Sequence, residues 1–194
     1  ELKEIDLQIR TCSNHLKVFV DREKLEIMLV NLLSNAFKFT PQGGTIKVLI
    51  IANKTNERAS SYTLTVSDTG VGIPEKDIAQ IFNRFYQSTN DEENGYDGTG
   101  IGLALTKELV DLHKGMIKVI SRVGIGTDIT IELPIGKEYF KVEEVFAQSY
   151  ENLDDVYSSV FEYIELFYNR VRKHSANDYS SPAEYEKYYY EECA

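Results

Sequence analysis

One segment, from Asp21 to about Lys38, predicts a helix that carries two different stripes. Asp21 is a favoured N-cap residue, and the apolar residues behind it recur at helical spacing. Those apolar positions are Leu25, Met28, Leu29, Leu32 and Ala36. Asn31, Asn35 and Lys38 lie three or four residues apart, so they share another face of the same helix. A polar stripe beside a core-facing stripe indicates either a solvated face or a face that holds a ligand.

The residue types of the polar stripe suit a phosphate group that carries a metal ion. Side-chain oxygens of asparagine can coordinate a hard ion such as Mg²⁺, which prefers oxygen ligands and keeps waters and phosphates around it. Lys38 can meet a phosphate as a point charge. Taken by itself, the stripe leaves the solvated face as the alternative.

A glycine-bearing block, Asp68 to Pro74, follows a predicted strand. Gly70 and Gly72 allow the backbone to approach a ligand closely or to take a positive φ. The Asp68 carboxylate stands at the strand end, where it can accept a hydrogen bond from an exocyclic amine such as that of adenine. An ordinary glycine turn is the alternative for this block.

A second block, Gly98-Thr99-Gly100-Ile101-Gly102-Leu103, opens a helix predicted from Thr99 to His113. The backbone N–H groups of a helix N-terminus, together with the helix dipole, form an anion site suited to a triphosphate. The glycine spacing is not that of a Rossmann turn, and no Gly-Lys-Ser/Thr of a Walker A loop follows. The block therefore predicts phosphate binding outside those two folds.

The remaining patterns predict further strands and loops. Strands are expected at residues 5–9, 18–20, 45–51, 62–66, 116–121 and 127–133, with a polar loop over residues 53–60. A short helix is expected from Pro74 to Phe82. Phe82 and Phe85 precede residues 86–97, which are polar and poor in apolar groups, and we expect this loop to be mobile.

Charge and composition divide the chain into two parts. A net charge of -10 argues against nucleic acid or an anionic membrane as the main partner. Residues 141–194 carry a net charge of -7, from five Lys/Arg and twelve Asp/Glu, and hold nine of the thirteen tyrosines. We therefore expect one domain over residues 1–140 and a separate tail over residues 141–194.

Four blocks in this order resemble the N, G1, F and G2 boxes of the GHKL ATP-binding fold, which sensor histidine kinases, gyrase-type ATPases and Hsp90-type chaperones share. They are residues 31–40, 68–74, 81–87 and 98–105, and the resemblance covers about residues 1–140. The F block is typical of the histidine-kinase branch, and residues 106–140 look like the kinase domains of large hybrid two-component sensors of gut Bacteroides-type bacteria. The resemblance implies an α+β fold, a two-layer sandwich with a mixed sheet of about five strands on about three helices, followed by a helical tail.

Carried over position by position, the resemblance implies a site for ATP and Mg²⁺. Asn35 would coordinate the ion, while Asn31 and Lys38 would contact phosphates or the ion's waters. Asp68 would recognise the adenine amino group, with Gly72 close to the ring and Thr127 assisting through water. The implied ATP-binding set also includes Gly70, Ile73, Phe85, Gly98, Thr99, Gly100, Ile101, Gly102 and Leu103.

Position 31 separates the kinase interpretation from a hydrolase. In gyrase-type members a glutamate, one helical turn before the magnesium asparagine, activates water. The residue here is Asn31, which cannot act as a base, so we predict a histidine protein kinase domain with slow hydrolysis of free ATP. The alternatives are a GHKL-type ATPase and a non-catalytic interaction module with a vestigial nucleotide site.

The phosphoacceptor is expected elsewhere. None of the three histidines, His15, His113 and His174, lies in the motif that carries the acceptor in these kinases. We expect that histidine on a dimerisation domain upstream of Glu1, and the receiver domain of a response regulator as a further partner. The resemblance also implies a cytoplasmic domain of an inner-membrane sensor.

The tail resembles a second family. Residues 161–170, 174–175 and 181–185 are similar to the C-terminal end of insertion-sequence transposases of the DDE integrase type. The catalytic acids of that family belong upstream of the matched part, so we expect no transposase activity. Because the tail carries a net charge of -7, we also expect that it does not bind DNA. An apolar stripe over residues 153–171 predicts a helical appendage that packs on the kinase domain or joins two copies into a homodimer. An insertion element that truncated a kinase gene would produce such a chain.

Overall fold

The structure, a computed structural model, describes residues 4–11, 21–55, 58–87 and 99–135. Within these ranges, five strands form one sheet and three helices accompany it. The elements in chain order are β1 (Asp6–Thr11), α1 (Arg22–Phe39), β2 (Thr45–Thr55), β3 (Arg58–Asp68), α2 (Glu75–Ile78), α3 (Gly102–Leu112), β4 (Met116–Arg122) and β5 (Gly126–Pro134). The predicted two-layer α+β sandwich with a mixed sheet is confirmed.

The sheet is mixed because one pair of strands is joined through a helix. Its strand order is β1-β2-β3-β5-β4. β1 and β2 are parallel and the chain passes through α1 between them, whereas the other neighbours are antiparallel. Parallel neighbours require such a crossover, while antiparallel ones can be joined by short turns.

One face of the sheet packs against α1 and α3 to form the core. Inward positions alternate with outward ones along the strands, as strand geometry requires. The buried strand residues are Ile46, Val48, Ile50, Tyr62, Leu64, Val66, Ile129, Ile131 and Leu133. The helix positions predicted to be apolar are all buried, and Leu33 and Phe37 join them.

Both ends of α1 follow from local chemistry. The Asp21 side chain caps the N-terminus by accepting a hydrogen bond from Lys24 N at 3.1 Å. Lys24 Nζ also forms an ion pair with Asp21 Oδ2 at 2.9 Å. At the other end, the backbone N–H of Thr40 donates to Ala36 O at 3.0 Å, and the Thr40 hydroxyl donates to the same oxygen at 2.6 Å. Pro41 then follows, and it disfavours helical conformation at Thr40.

The predicted loop over residues 53–60 is wrong, because β2 and β3 continue through most of it. Polar side chains on the outward face support this extension. Asn53 Nδ2 donates to Ser61 Oγ at 3.0 Å and to Glu132 Oε1 at 3.3 Å, and Ser61 Oγ donates to Glu132 Oε1 at 2.6 Å. A strand that faces solvent on one side can be polar there, so composition alone suggested a loop.

Both remaining helices are shorter than predicted. α2 ends at Ile78 and gives way to turns, instead of continuing to Phe82. α3 starts at Gly102 instead of Thr99, because Gly100 has φ 65°, which is incompatible with a right-handed helix. The predicted strand at residues 18–20, the loop from residue 88 onward and the tail lie outside the described residues. In the described part of the chain, no helix is both long and apolar enough to span a membrane.

Candidate functional site

The polar stripe of α1 is hydrogen-bonded to the first turn of α3 through Asn31. Asn31 Nδ2 donates to Gly102 O at 3.2 Å and lies 3.4 Å from Thr106 Oγ1. The buried Thr106 hydroxyl itself donates to Gly102 O at 2.9 Å. A Cβ on residue 102 would lie only 3.2 Å from Asn31 Oδ1, so glycine allows this close approach. Asn31 and Gly102, which the sequence predicts to share one site, do meet here, and Thr106 is a third member that the sequence pattern did not predict.

Asn35 and Lys38 continue the stripe toward the end of α1. The Asn35 side chain is half-buried and makes no hydrogen bond to any residue that the structure describes. Lys38 Nζ lies 4.6 Å from the centroid of the Phe39 ring. The stripe therefore presents an amide group and a cation along the same helix face as Asn31.

The N-terminus of α3 has backbone N–H groups that make no hydrogen bond within the described residues. Its N-cap residue is Ile101, which has no side-chain group that could cap the helix. The first helical hydrogen bond runs from Leu105 N to Ile101 O at 2.9 Å. The N–H groups of Gly102 and Leu103 precede that bond, and unsatisfied amides in a first turn favour negatively charged ligands.

The glycine block after β3 connects Asp68 to the end of α1. Gly70 N donates to Asp68 Oδ1 at 2.8 Å, and Val71 N donates to Phe39 O at 3.3 Å. A Cβ on residue 70 would lie 2.6 Å from Phe39 O and 2.7 Å from Asp68 Oδ1. Glycine is therefore required here by the packing of the loop against α1.

Burial raises the pKa of the Asp68 carboxyl group above its usual range, while hydrogen bonds from backbone N–H groups of Gly70 and Thr127 act in the opposite direction. Within the described residues, these two backbone groups are its hydrogen-bond donors. A carboxylate has about four acceptor sites, so Asp68 retains capacity for a ligand that donates hydrogen bonds.

Asp68, Thr127 and Ser121 lie in one row across three neighbouring strands. The strand register pairs Asp68 with Thr127, and Thr127 with Ser121. The next row on the same face of the sheet is apolar and consists of Val66, Ile129 and Val119. The core-facing side of the sheet thus becomes polar at the end where the glycine block begins.

Ser121 holds the glycine block in place, and the sequence analysis missed it. Its Oγ accepts from Ile73 N at 2.7 Å, donates to Gly126 O at 3.0 Å and lies 2.8 Å from Thr127 Oγ1. The sequence does contain a signal for Ser121. The inward positions of β4 are Ile117, Val119 and Ser121, and only the last of these three is polar.

Gly72 packs against β4. It has φ 71°, and the carbonyl group of Arg122 leaves no room for a Cβ. Glycine at this position is therefore explained by the fold itself. Its predicted closeness to an adenine ring remains a prediction.

The segments before and after residues 88–98 are joined at their bases. Phe85 N donates to Gly100 O at 2.9 Å, and a Cβ on Gly100 would lie 2.7 Å from Phe85 C. Arg84 also binds Glu108 on α3, with Nη2 2.6 Å and Nε 3.0 Å from Oε1. Phe85 itself has φ 65° and a side chain that is 73% exposed. Thr99 is exposed nearby, whereas Gly98 lies outside the described residues.

The predicted site residues that the structure describes thus fall into two connected groups. One group joins the polar stripe of α1 to the start of α3, and the other surrounds Asp68 at the end of the sheet. The loop contact between Val71 and Phe39 links them. No group of three or more His, Cys, Asp or Glu side chains that could hold a metal ion occurs among the described residues.

Comparison with known proteins defines the class. Residues 20–137, more than half of the chain, match the family described as "Histidine kinase-, DNA gyrase B-, and HSP90-like ATPase", and the chain belongs to this family. The predicted resemblance to the GHKL group is confirmed. Residues 138–189 match an integrase core domain, in agreement with the second resemblance predicted for the tail.

Several proteins similar to this chain are histidine kinases. The chain is 44% identical over 131 residues to the circadian input-output histidine kinase CikA of Synechococcus elongatus, a match that covers 67% of this chain and 16% of that kinase. The nucleotide-free catalytic domain of histidine kinase ThkA has a TM-score of 0.60 and 28% identity, over 71% of this chain and 84% of that domain. Full-length ShkA in complex with AMPPNP has a TM-score of 0.55 and 30% identity, over 69% of this chain and 26% of ShkA. The chain spans from 9% to 21% of the length of eight curated relatives that it matches.

Proposed function

We propose that this chain carries the ATP-binding catalytic domain of a two-component sensor histidine kinase, which donates the γ-phosphate of ATP to a histidine on a dimerisation domain. The observation that carries the proposal is the hydrogen bond from Asn31 to Gly102. It joins the asparagine stripe of α1 to a helix N-terminus without a side-chain cap. Kinase relatives and the nucleotide-bound ShkA structure support the same assignment.

Asn35 is the proposed ligand of Mg²⁺. Its half-buried amide makes no hydrogen bond within the described residues, and amide oxygen is a hard ligand of the kind that magnesium prefers. Phosphate oxygens and waters would complete the coordination. When bound, the ion would neutralise charge on the phosphates during transfer.

The phosphates would lie between α1 and the start of α3. Lys38 would supply a positive charge from α1, and the first amides of α3, at Gly102 and Leu103, would donate hydrogen bonds. Thr99, Gly100 and Ile101 precede those amides, and Gly98 belongs to the same proposed block. Phosphoryl transfer depends mainly on positioning and on charge stabilisation, and these residues are suited to both.

The adenine base would be recognised at the end of the sheet. Asp68 would accept a hydrogen bond from the amino group, and Thr127 lies opposite it in the strand register. Gly70, Gly72 and Ile73 belong to the loop that packs beside this pair. Phe85, whose ring is exposed at the base of the G2 block, is the proposed contact on the opposite side of the nucleotide.

Transfer to histidine is favoured over hydrolysis by the chemistry of Asn31. An amide cannot remove a proton from water, and its Nδ2 is already engaged by Gly102 O. The site therefore has the groups needed to hold Mg-ATP without a base that would activate water at this position. Rapid turnover of free ATP by the full chain would favour the ATPase alternative instead.

The partners follow from the proposed activity. A dimerisation domain with the acceptor histidine and the receiver domain of a response regulator would complete the pathway of the phosphoryl group. The proposed kinase is a hybrid sensor of the Bacteroides type, with this domain on the cytoplasmic side of the inner membrane. The catalytic domain would end near residue 140, in agreement with the family match to residue 137, and the acidic tail over residues 141–194 would join two copies without binding nucleic acid.

The first test of this proposal is calorimetry with the full chain. Wild-type protein should release or absorb heat on titration with Mg-ATP, and Asn35→Ala should bind it at least about tenfold more weakly, a loss typical of a disturbed metal site. Asn53→Ala is the matched control, because Asn53 bonds Ser61 and Glu132 on the opposite face of the sheet. An absence of binding by the wild type would support a vestigial site.

The second test measures phosphoryl transfer in trans. The full chain is mixed with radiolabelled ATP and a separate dimerisation domain that carries its acceptor histidine. Label should appear on that domain and should disappear when its histidine is replaced. Nucleotide binding without any transfer, alongside fast phosphate release, would contradict the kinase assignment while leaving the nucleotide site intact.

A further inference from the structure

We propose that Ser121 is a positioning residue that determines base specificity by making Thr127 an acceptor of hydrogen bonds. This inference rests on the proposed function, because it concerns the base of the nucleotide that the domain would hold. The preferred ligand class is a purine nucleotide with an amino group at position 6, and the disfavoured class has an oxo group there.

The single proton of the Ser121 hydroxyl decides the direction of each of its hydrogen bonds. A serine hydroxyl has one proton to donate and two lone pairs to accept with. Ile73 N, at 2.7 Å, can only donate to it, and Gly126 O, at 3.0 Å, can only accept from it. The single proton of Ser121 is therefore directed to Gly126 O, and one lone pair receives Ile73 N–H.

The direction of the hydrogen bond between Ser121 and Thr127 follows from these assignments. Its Oγ1 lies 2.8 Å from Ser121 Oγ, and either atom could be the donor on distance alone. Ser121 has already used its proton on Gly126 O, so Thr127 donates to the remaining lone pair of Ser121. All three hydrogen bonds of Ser121 are satisfied only in this arrangement. The Thr127 oxygen is then left with lone pairs and no proton for a ligand.

Thr127 lies beside Asp68 in the sheet. These residues are direct partners in the register of β3 and β5, so their side chains are neighbours on one face of the sheet. An ionised carboxylate accepts hydrogen bonds and cannot donate them. Asp68 and Thr127 therefore form an acceptor-only pair, which suits the two N–H bonds of an exocyclic amine, directly or through a bridging water. A 6-oxo group would meet two acceptors and no donor.

Removal of the Ser121 hydroxyl should relax this selectivity. In the Ser121→Ala variant, Thr127 regains its proton for the ligand and can donate to a 6-oxo group. A merely structural role for Ser121 would instead weaken the binding of every nucleotide in proportion, since the loss of a partner for Ile73 N–H loosens the loop equally for both bases.

The experiment compares Mg-ATP with Mg-ITP by calorimetry on the full chain. The base of ATP has an amino group at position 6, whereas the base of ITP has an oxo group there. Wild type should prefer ATP, and Ser121→Ala should lower the ATP-to-ITP affinity ratio by about 3- to 10-fold, which corresponds to roughly one net hydrogen bond. Ser121→Thr keeps the hydroxyl and should retain the wild-type ratio. Thr65→Val removes a similar hydroxyl pair, Thr65 with Thr130 at 3.0 Å on the outer face, and should also leave the ratio unchanged.

The outcomes separate the two proposals. An unchanged ratio in Ser121→Ala, or an equal loss of affinity for both nucleotides, overturns the role of Ser121 while the nucleotide site stands. Binding of neither nucleotide by the wild type overturns the proposed function itself. Thr127→Val provides a second variant should Ser121→Ala fail to fold: it removes the acceptor and should weaken ATP more than ITP, and an equal effect on both would refute the inference.

Discussion

Asn31→Asp tests the joint between α1 and α3 with a nearly isosteric change. In the wild type, Nδ2 donates to Gly102 O at 3.2 Å and lies 3.4 Å from Thr106 Oγ1. The substitution replaces this donor by a carboxylate oxygen that faces a carbonyl oxygen. The loss of one net hydrogen bond together with the new repulsion should cost about 1–3 kcal/mol of unfolding free energy. For a chain of this size, that corresponds to a melting temperature lower by about 2–12 °C.

The assay is thermal unfolding of the wild type, Asn31→Asp and Asn31→Ala, each with and without Mg-ATP. Asn31→Ala removes the donor without adding repulsion, so it should be less destabilised than Asn31→Asp in the nucleotide-free protein. The new negative charge near the phosphate site should also reduce stabilisation by Mg-ATP, which depends on affinity through mass action. Equal stability of wild type and Asn31→Asp, with an unchanged shift by Mg-ATP, would refute the proposed joint.

Three further predictions concern pH, packing and a surface ion pair. Burial lowers the pKa of His113 below 6.5, because the folded protein favours the neutral ring. The resulting contribution to folding stability is fully present above the unfolded pKa and is lost as pH falls through the folded pKa. Urea unfolding at pH values on either side of 6.5 should therefore show stability that decreases toward acid pH, with a smaller slope in His113→Gln. Gly126→Ala should destabilise the protein by more than about 1 kcal/mol, because the φ of Gly126 is 142° and the Asp68 carbonyl group occupies the space of a Cβ. Chemical denaturation measures this loss of stability, and a neutral effect would contradict the observed packing. The exposed pair of Arg84 and Glu108 should contribute at most about 1 kcal/mol in a double-mutant cycle, and a coupling that does not weaken in high salt would show that it is more than a surface ion pair.

Local patterns were sufficient for the elements that carry the site. The apolar period after Asp21 predicted α1 and its buried face, and the cap geometry agrees with the choice of Asp21. Blocks of glycine after a strand and before a helix predicted the loop at Asp68 and the presence of α3, although α3 begins three residues later than predicted. These features depend on residues within a few positions of one another, so they can be recognised without a structure.

Errors occurred where tertiary contacts outweighed local composition. Residues 53–60 are polar, yet β2 and β3 extend through most of them because Asn53 and Ser61 bond Glu132 of β5. The predicted start of α3 at Thr99 was too early, because Gly100 packs against the backbone of Phe85 at positive φ. In each case, the deciding partner is distant in sequence.

The amino-acid sequence by itself determined which chemical groups are present and on which face of each element they lie, since helical and strand periods are local properties. Only the tertiary structure decided which of these groups meet. Asn31 reaches Gly102 because α1 packs against α3, and Asp68, Thr127 and Ser121 align because three strands pair in one register. A change of register by one residue would turn a strand's side chains to the other face, so the same residues would be present without forming a site.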